Sequence, residues 1–177
     1  MTTTEPAWLK AARAKLGTRE APGAANNPTI IGWGKRLGVK VLGIAYNADS
    51  VPWCGVFVAE CLDRGGIDLA AEGMHRMRVA VRAKAWATWG ANLAADRLAP
   101  GAILVFDREG GGHVGFYVGE DAKAYHVLGG NQGDAVSITR ILKARCVARR
   151  WPRDVPVIGR PIAMREVAGM PLSRNEA

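Results

Sequence analysis

The side chains of this chain able to do nucleophilic or acid–base chemistry near neutral pH are three cysteines, Cys54, Cys61 and Cys146, and three histidines, His75, His113 and His126. A nucleophilic thiol needs a lowered pKa, a base within reach and access for its substrate. Cys54 opens the sharpest pattern in the chain: Cys54, Phe57, Val58, Cys61 and Leu62 recur at the spacing of one helix face, which predicts a helix over Val51 to Asp63. With Ser50 as N-cap and Pro52 in the first turn, Cys54 sits near the helix N-terminus, where free N–H groups and the macrodipole favour a thiolate. Cys61, two turns along the same face, and Cys146, inside a strand-like run, read as structural thiols. By itself, Cys54 reads more simply as a third one.

The base must come from the histidines. His113 follows Gly110-Gly111-Gly112 and begins a strand in which it shares a face with Gly115 and Tyr117, leaving room for a substrate backbone. His126, within the next strand, reads as a satisfied structural histidine, and His75, between Met74 and Arg76 in a loop, as a solvated one. An imidazole base needs a third group to fix its tautomer. Asn131, in Gly129-Gly130-Asn131-Gln132-Gly133, could reach His113 from a neighbouring strand; a turn asparagine among glycines is an equally good reading, and Asp134 is a weaker candidate for the role.

These groups are carried by 177 residues, a length that fits one domain. The composition, 49% hydrophobic and 23% charged, excludes wholesale disorder, and no run approaches the roughly 20 apolar residues of a membrane helix. Three cysteines without CxxC spacing exclude a disulfide framework and the common structural zinc sites. Helices are expected over Pro6 to Leu16, capped by Thr4, from Pro28 to a stop at Gly38, and over Ala80 to Gly90. Beyond residue 100 the period becomes that of strands: Ile103 to Phe106, His113 to Val118, Tyr125 to Leu128, Val136 to Thr139 and Cys146 to Trp151, joined by short Gly- and Asp-rich turns that favour antiparallel neighbours. Helices first and a strand meander second predict an α+β fold, its sheet covered by the Cys54 helix. Residues 1–151 make the domain, and 152–177, with four of the nine prolines, an extended tail that reads most simply as a loosely ordered terminus, the alternative being a tether whose apolar residues dock on a partner.

Three motifs in order, Pro52-Trp53-Cys54-Gly55-Val56-Phe57-Val58, Gly112-His113-Val114-Gly115-Phe116-Tyr117-Val118-Gly119 and Val127-Leu128-Gly129-Gly130-Asn131-Gln132, resemble the CHAP-type cell-wall hydrolases of the papain-like NlpC/P60 superfamily, in particular a bacterial and phage subgroup with PWC, GHVGFYVG and LGGNQ motifs. The resemblance implies a papain-like fold, N-terminal helices packed on a five- or six-stranded antiparallel sheet. It implies a peptidoglycan hydrolase, an N-acetylmuramoyl-L-alanine amidase or peptide endopeptidase, with Cys54 as nucleophile, His113 as base and then acid, Asn131 orienting His113, and no metal or other cofactor. Trp53 and Tyr117 are the expected substrate-binding residues, although packing suits Trp53 better. Gly55 departs from the family, which often has Ala there, and so does Ala102, where the family often has Asp.

A formal charge of +8 suits an anionic partner, and with no nucleic-acid-binding motif the bacterial envelope is the one expected. No basic n-region followed by an apolar stretch opens the chain, which points to synthesis in a host cytoplasm and action at the cell wall or periplasm, as a bacteriophage endolysin or a virion or tail-associated lysin. The alternative is a structural or tail-assembly protein that keeps the fold without the activity.

Overall fold

The computed structural model describes residues 5–165 and 169–176, and it is an α+β structure built on a six-stranded antiparallel sheet. Helix α1 (Ala7–Arg13) is shorter than its apolar spacing predicts, because Gly17 turns away with φ near 87° and its N–H donates to Val136 O at 3.0 Å. Thr4, the expected cap, lies outside the described residues; Pro6 occupies that position. Helix α2 (Pro28–Leu42) is capped by Asn27, whose Oδ1 accepts from Thr29 N at 2.8 Å. It does not stop at Gly38. Gly38 instead takes φ 73°, open to glycine at little cost, and the helix resumes for one more turn that buries Val41 and Leu42.

Helix α3 (Cys54–Arg64) begins at Cys54 itself. Ser50 belongs to the preceding turn, where Val51 N bonds to Ala48 O, so Trp53 holds the cap position, with no side-chain capping bond. Every residue from Cys54 to Leu62 is buried, more than the single apolar face predicts, because α1 and α2 pack on one side and the sheet on the other. Phe57 meets Trp33 of α2 and Phe116 of the sheet, with ring centroids 6.2 and 6.1 Å apart. Even Glu60 is inside, and it is neutralised by Arg36, by Arg64 at 3.0 Å and by Lys15 at 3.7 Å.

Between α3 and the sheet, only Ala83–Thr88 of the helix expected over Ala80 to Gly90 forms, as a 3₁₀ turn. Trp86 and Trp89 decide this, packing edge to face with centroids 5.3 Å apart, while Trp86 Nε1 donates to Ala80 O. The strands are β1 (Ala91–Asn92), β2 (Ile103–Arg108), β3 (Gly111–Glu120), β4 (Ala124–Gly129), β5 (Ser137–Leu142) and β6 (Cys146–Trp151), in the order β1-β6-β2-β3-β4-β5. Hairpins join β2 through β5, and β6 returns to pair with β2. Two-residue β1 carries no strand-length signal and forms through its pairing with Trp151 and Arg150.

Past residue 152 the described residues form no helix or strand, only isolated bridges to the sheet. Ala163 bridges Glu120 at the end of β3, Ile162 N donates to Tyr117 Oη at 3.0 Å, and Leu172 bridges Arg140, with Ser173 N donating to Arg140 O at 2.8 Å. This last contact covers backbone on the edge strand β5 that would otherwise be open to pairing.

Candidate active site

Cys54 stands at the first position of α3, and its sulfur lies against β3. Burial pushes the Cys54 thiol pKa up; the N–H groups of Val114, Gly55 and Cys54 itself, together with the Arg108 guanidinium, oppose the rise without overcoming it. The thiol therefore abuts the residue that follows His113. A side chain after Cys54 is sterically forbidden: a Cβ on Gly55 would lie 1.9 Å from Ala80 O.

His113 is held at its far ring nitrogen. Its Nε2 is 2.9 Å from Gln132 Oε1. The Gln132 amide has one orientation, because its Nε2 donates to Val127 O at 3.2 Å and to Ser137 O at 2.6 Å, so the oxygen must face the histidine. An amide oxygen only accepts. Hence His113 carries its proton on Nε2, and Nδ1 is left as an acceptor, the state a general base requires. In Gln132→Leu this lock is gone, and ¹⁵N shifts of His113 are expected to report a mixture of tautomers where the wild-type ring shows one; an unchanged Nε2–H tautomer would refute the lock.

The structure thus joins His113 to Gln132 and sets the Cys54 sulfur against Val114, the residue after His113. Asn131 is next to them but does something else: it adopts φ 58°, the left-handed turn conformation, and makes no side-chain hydrogen bond among the described residues. The contact expected of Asn131 belongs to its neighbour. The signal for Gln132 was present in the Gly-Gly-Asn-Gln-Gly run, but only the turn geometry decides which of two adjacent amides points back into the sheet.

Trp53 and Tyr117 do not line an open cleft. Trp53 is fully buried against Trp33, with Nε1 donating to Glu20 Oε1 at 2.6 Å, and Tyr117 is equally buried, its hydroxyl donating to Glu120 Oε2 at 2.9 Å. Burial raises the Glu20 pKa against the Trp53 hydrogen bond, and Asp134 and Asp49 raise it further. Asp49 ties loops together, its Oδ2 accepting from Ala21 N and Asn27 N. His126 is buried and pairs with Asp121 at 2.9 Å. His75 is not simply solvated, for its half-buried ring rests on Trp89 with centroids 5.9 Å apart. No group of three or more potential metal ligands occurs among the described residues.

Charged residues that motif reasoning passed over complete the site. Arg108, at the end of β2, and Arg145, just before β6, act on His113, whose pKa burial pushes down; both arginines deepen that shift, while Glu176 and Gln132 oppose it. Arg145 grips Glu176 with two hydrogen bonds of 2.8 Å. With thiol raised and imidazole lowered, the resting pair is a neutral thiol beside a neutral base.

No family model matches the chain, and no curated protein matches it.

Several of the late basic residues are tied internally: Arg140 to Asp121, Lys143 to Glu120, Arg149 to the Tyr125 hydroxyl and Arg150 to the carbonyls of Trp89 and Gly90. No helix among the described residues is long and apolar enough to cross a membrane.

Proposed function

We propose that the chain is a cysteine hydrolase of peptidoglycan with a papain-like fold, cleaving an amide bond as an N-acetylmuramoyl-L-alanine amidase or a peptide endopeptidase. The observation that carries the reading is the Gln132 amide, fixed by two carbonyls, presenting its oxygen to His113 Nε2 so that Nδ1 is left as the acceptor, with the Cys54 sulfur set against the N–H of the next residue, Val114. Its working context would be a bacteriophage endolysin or a virion or tail-associated lysin, made in a host cytoplasm and acting at the wall.

In that reaction the Cys54 sulfur attacks the amide carbonyl carbon as its proton passes to His113 Nδ1. The oxyanion that forms is met by the N–H of Cys54 at the start of α3. The C–N bond then breaks, His113 returns the proton to the leaving amine, and a thioester remains. Water attacks next. His113 takes its proton, the C–S bond breaks, and the proton returns to the sulfur. Gln132 holds the imidazolium in place through both halves by accepting from Nε2–H.

The test is digestion of purified sacculi followed by mass spectrometry of the soluble fragments. New amino termini on stem peptides, or lactyl groups freed of L-alanine, are expected and identify the bond. Sacculi left unchanged by a folded chain whose Cys54 has been shown to be reactive would overturn the proposal in favour of a structural or tail-assembly role.

A further inference from the structure

The segment Ser173–Glu176 lies beside the candidate site and is held there by a built set of cationic groups. Glu176 is only 1% exposed, and its carboxylate takes both Nη groups of Arg145 at 2.8 Å and the Ser173 hydroxyl at 2.9 Å. Its carbonyl accepts from Gly133 N at 3.1 Å, next to Gln132, and the adjoining Asn175 Oδ1 accepts from Arg108 Nη1 at 2.9 Å. Burial would raise the Glu176 pKa, but Arg145 and Ser173, joined by His113 whenever its ring is protonated, lower it below its ordinary value.

Two features mark this arrangement as more than a packed chain segment. Arg108 Nε is buried and has no hydrogen-bond partner, although the same guanidinium acts on both Cys54 and His113. A buried N–H of that kind costs about 1 to 3 kcal/mol when left unsatisfied and is a donor waiting for an acceptor. In addition, the segment bridges a cavity of about 310 Å³ between itself and β5, lined by Gln132, Ile138, Thr139, Pro171, Asn175 and Glu176, so it rests on polar anchors with open space beneath. A strap of this construction can leave without dismantling a core.

We propose that Arg145 and Arg108 form a subsite for a free carboxylate on an acidic peptide substrate, beside Cys54 and His113, and that Glu176 occupies it as an internal substitute, keeping the site closed until the segment is displaced. Arginine suits the task because its planar fork matches a carboxylate with two parallel bonds. The peptide side of the proposal rests on the hydrolase reading above. An incoming stem peptide with a carboxylate near its scissile amide would exchange for Glu176 on Arg145, and its second oxygen or a neighbouring carbonyl would satisfy Arg108 Nε. Recognition and opening are then one event.

The experiment reads thiol chemistry in the full chain and needs no wall hydrolysis. Alkylation of Cys54 by iodoacetate, an anionic reagent, and by iodoacetamide, its neutral counterpart, is followed by peptide mapping so that Cys61 and Cys146 are counted separately. Glu176→Ala and the closer mimic Glu176→Gln are expected to accelerate iodoacetate at least about tenfold over wild type, the equivalent of about 1.4 kcal/mol of charge recognition, and iodoacetamide much less. Raising the salt concentration should shrink that preference. Adding Arg145→Gln to Glu176→Gln should abolish it while leaving iodoacetamide fast. Equal acceleration of both reagents would overturn the carboxylate subsite, and no acceleration of either would overturn the occlusion. Selective acceleration without any release of fragments from sacculi would keep the subsite and defeat the hydrolase reading; release without selectivity would do the reverse.

Discussion

Cys54→Ala is expected to remove at least about 10⁴-fold of the wall-degrading rate, the scale seen when a nucleophile that works as a unit with its base is deleted. The loss should be confined to chemistry. Cys54 is the first residue of α3, the helix has no side-chain cap to lose, and alanine is a good helix former, so the local propensity improves if anything. The sulfur is buried, and its removal leaves a gap of one atom in a wall that also includes backbone from β3, a cost of about 1 kcal/mol. A zymogram of Cys54→Ala beside wild type, with thermal melts of both, separates the effects. A folded Cys54→Ala that still clears the wall would exclude the thioester route; one that is inactive only because it is unfolded would show up in the melt, and Cys54→Ser, which keeps the atom count, would then carry the test.

How much of this was legible beforehand depends on what each residue's role is made of. The Cys54 helix and five of six strands announce themselves through apolar periodicity, because burial of a face is a repeating constraint that the sequence must satisfy at every turn. Strand β1 has two residues, too few for a period, and exists because β6 offers it a partner. The expected helix after Ala80 fails for a related reason: indole rings at residues 86 and 89 pack on each other and on their own backbone, and that local geometry wins over a helical spacing.

At the site the same division holds. Cys54 and His113 could be named from a helix start and a glycine-flanked strand start. The choice between Asn131 and Gln132 turns on one backbone conformation, φ 58° at Asn131, which sends consecutive side chains to different places. The Arg145–Glu176 pair joins residues 31 apart in sequence, and charge spacing at that range has no period to read. Nor could composition distinguish a basic surface from one whose arginines are committed to buried carboxylates, as Arg140 is.

That commitment carries the largest stability prediction. Asp121 sits in the turn between β3 and β4, with Oδ1 accepting from Lys123 N and Ala124 N and Oδ2 from Arg140 Nε at 2.8 Å and His126 Nε2 at 2.9 Å. One carboxylate thus closes a hairpin and binds β4 to β5, where His126 and Arg140 are directly paired. The Arg140 hydrogen bond holds its carboxyl well below the usual carboxylate range despite partial burial, with Lys123, His126 and Ala124 adding to the effect. Asp121→Asn keeps an oxygen for the backbone turn but removes the charge facing a buried guanidinium, so at pH 7 it should cost roughly 3 to 5 kcal/mol. The sign of the pH dependence follows from the direction of the shift. A folded-state pKa below the unfolded one gives stability that is complete above about pH 4 and is lost at about 1.4 kcal/mol per pH unit as the pH falls toward the folded value. Asparagine has no such titration. Urea unfolding of both proteins should therefore show the gap between them narrowing by about 1 kcal/mol between pH 7 and pH 3. A gap of the same size at both pH values would mean that shape, not charge, is what Asp121 contributes, and a gap below about 1 kcal/mol at pH 7 would place the pair with ordinary surface salt bridges.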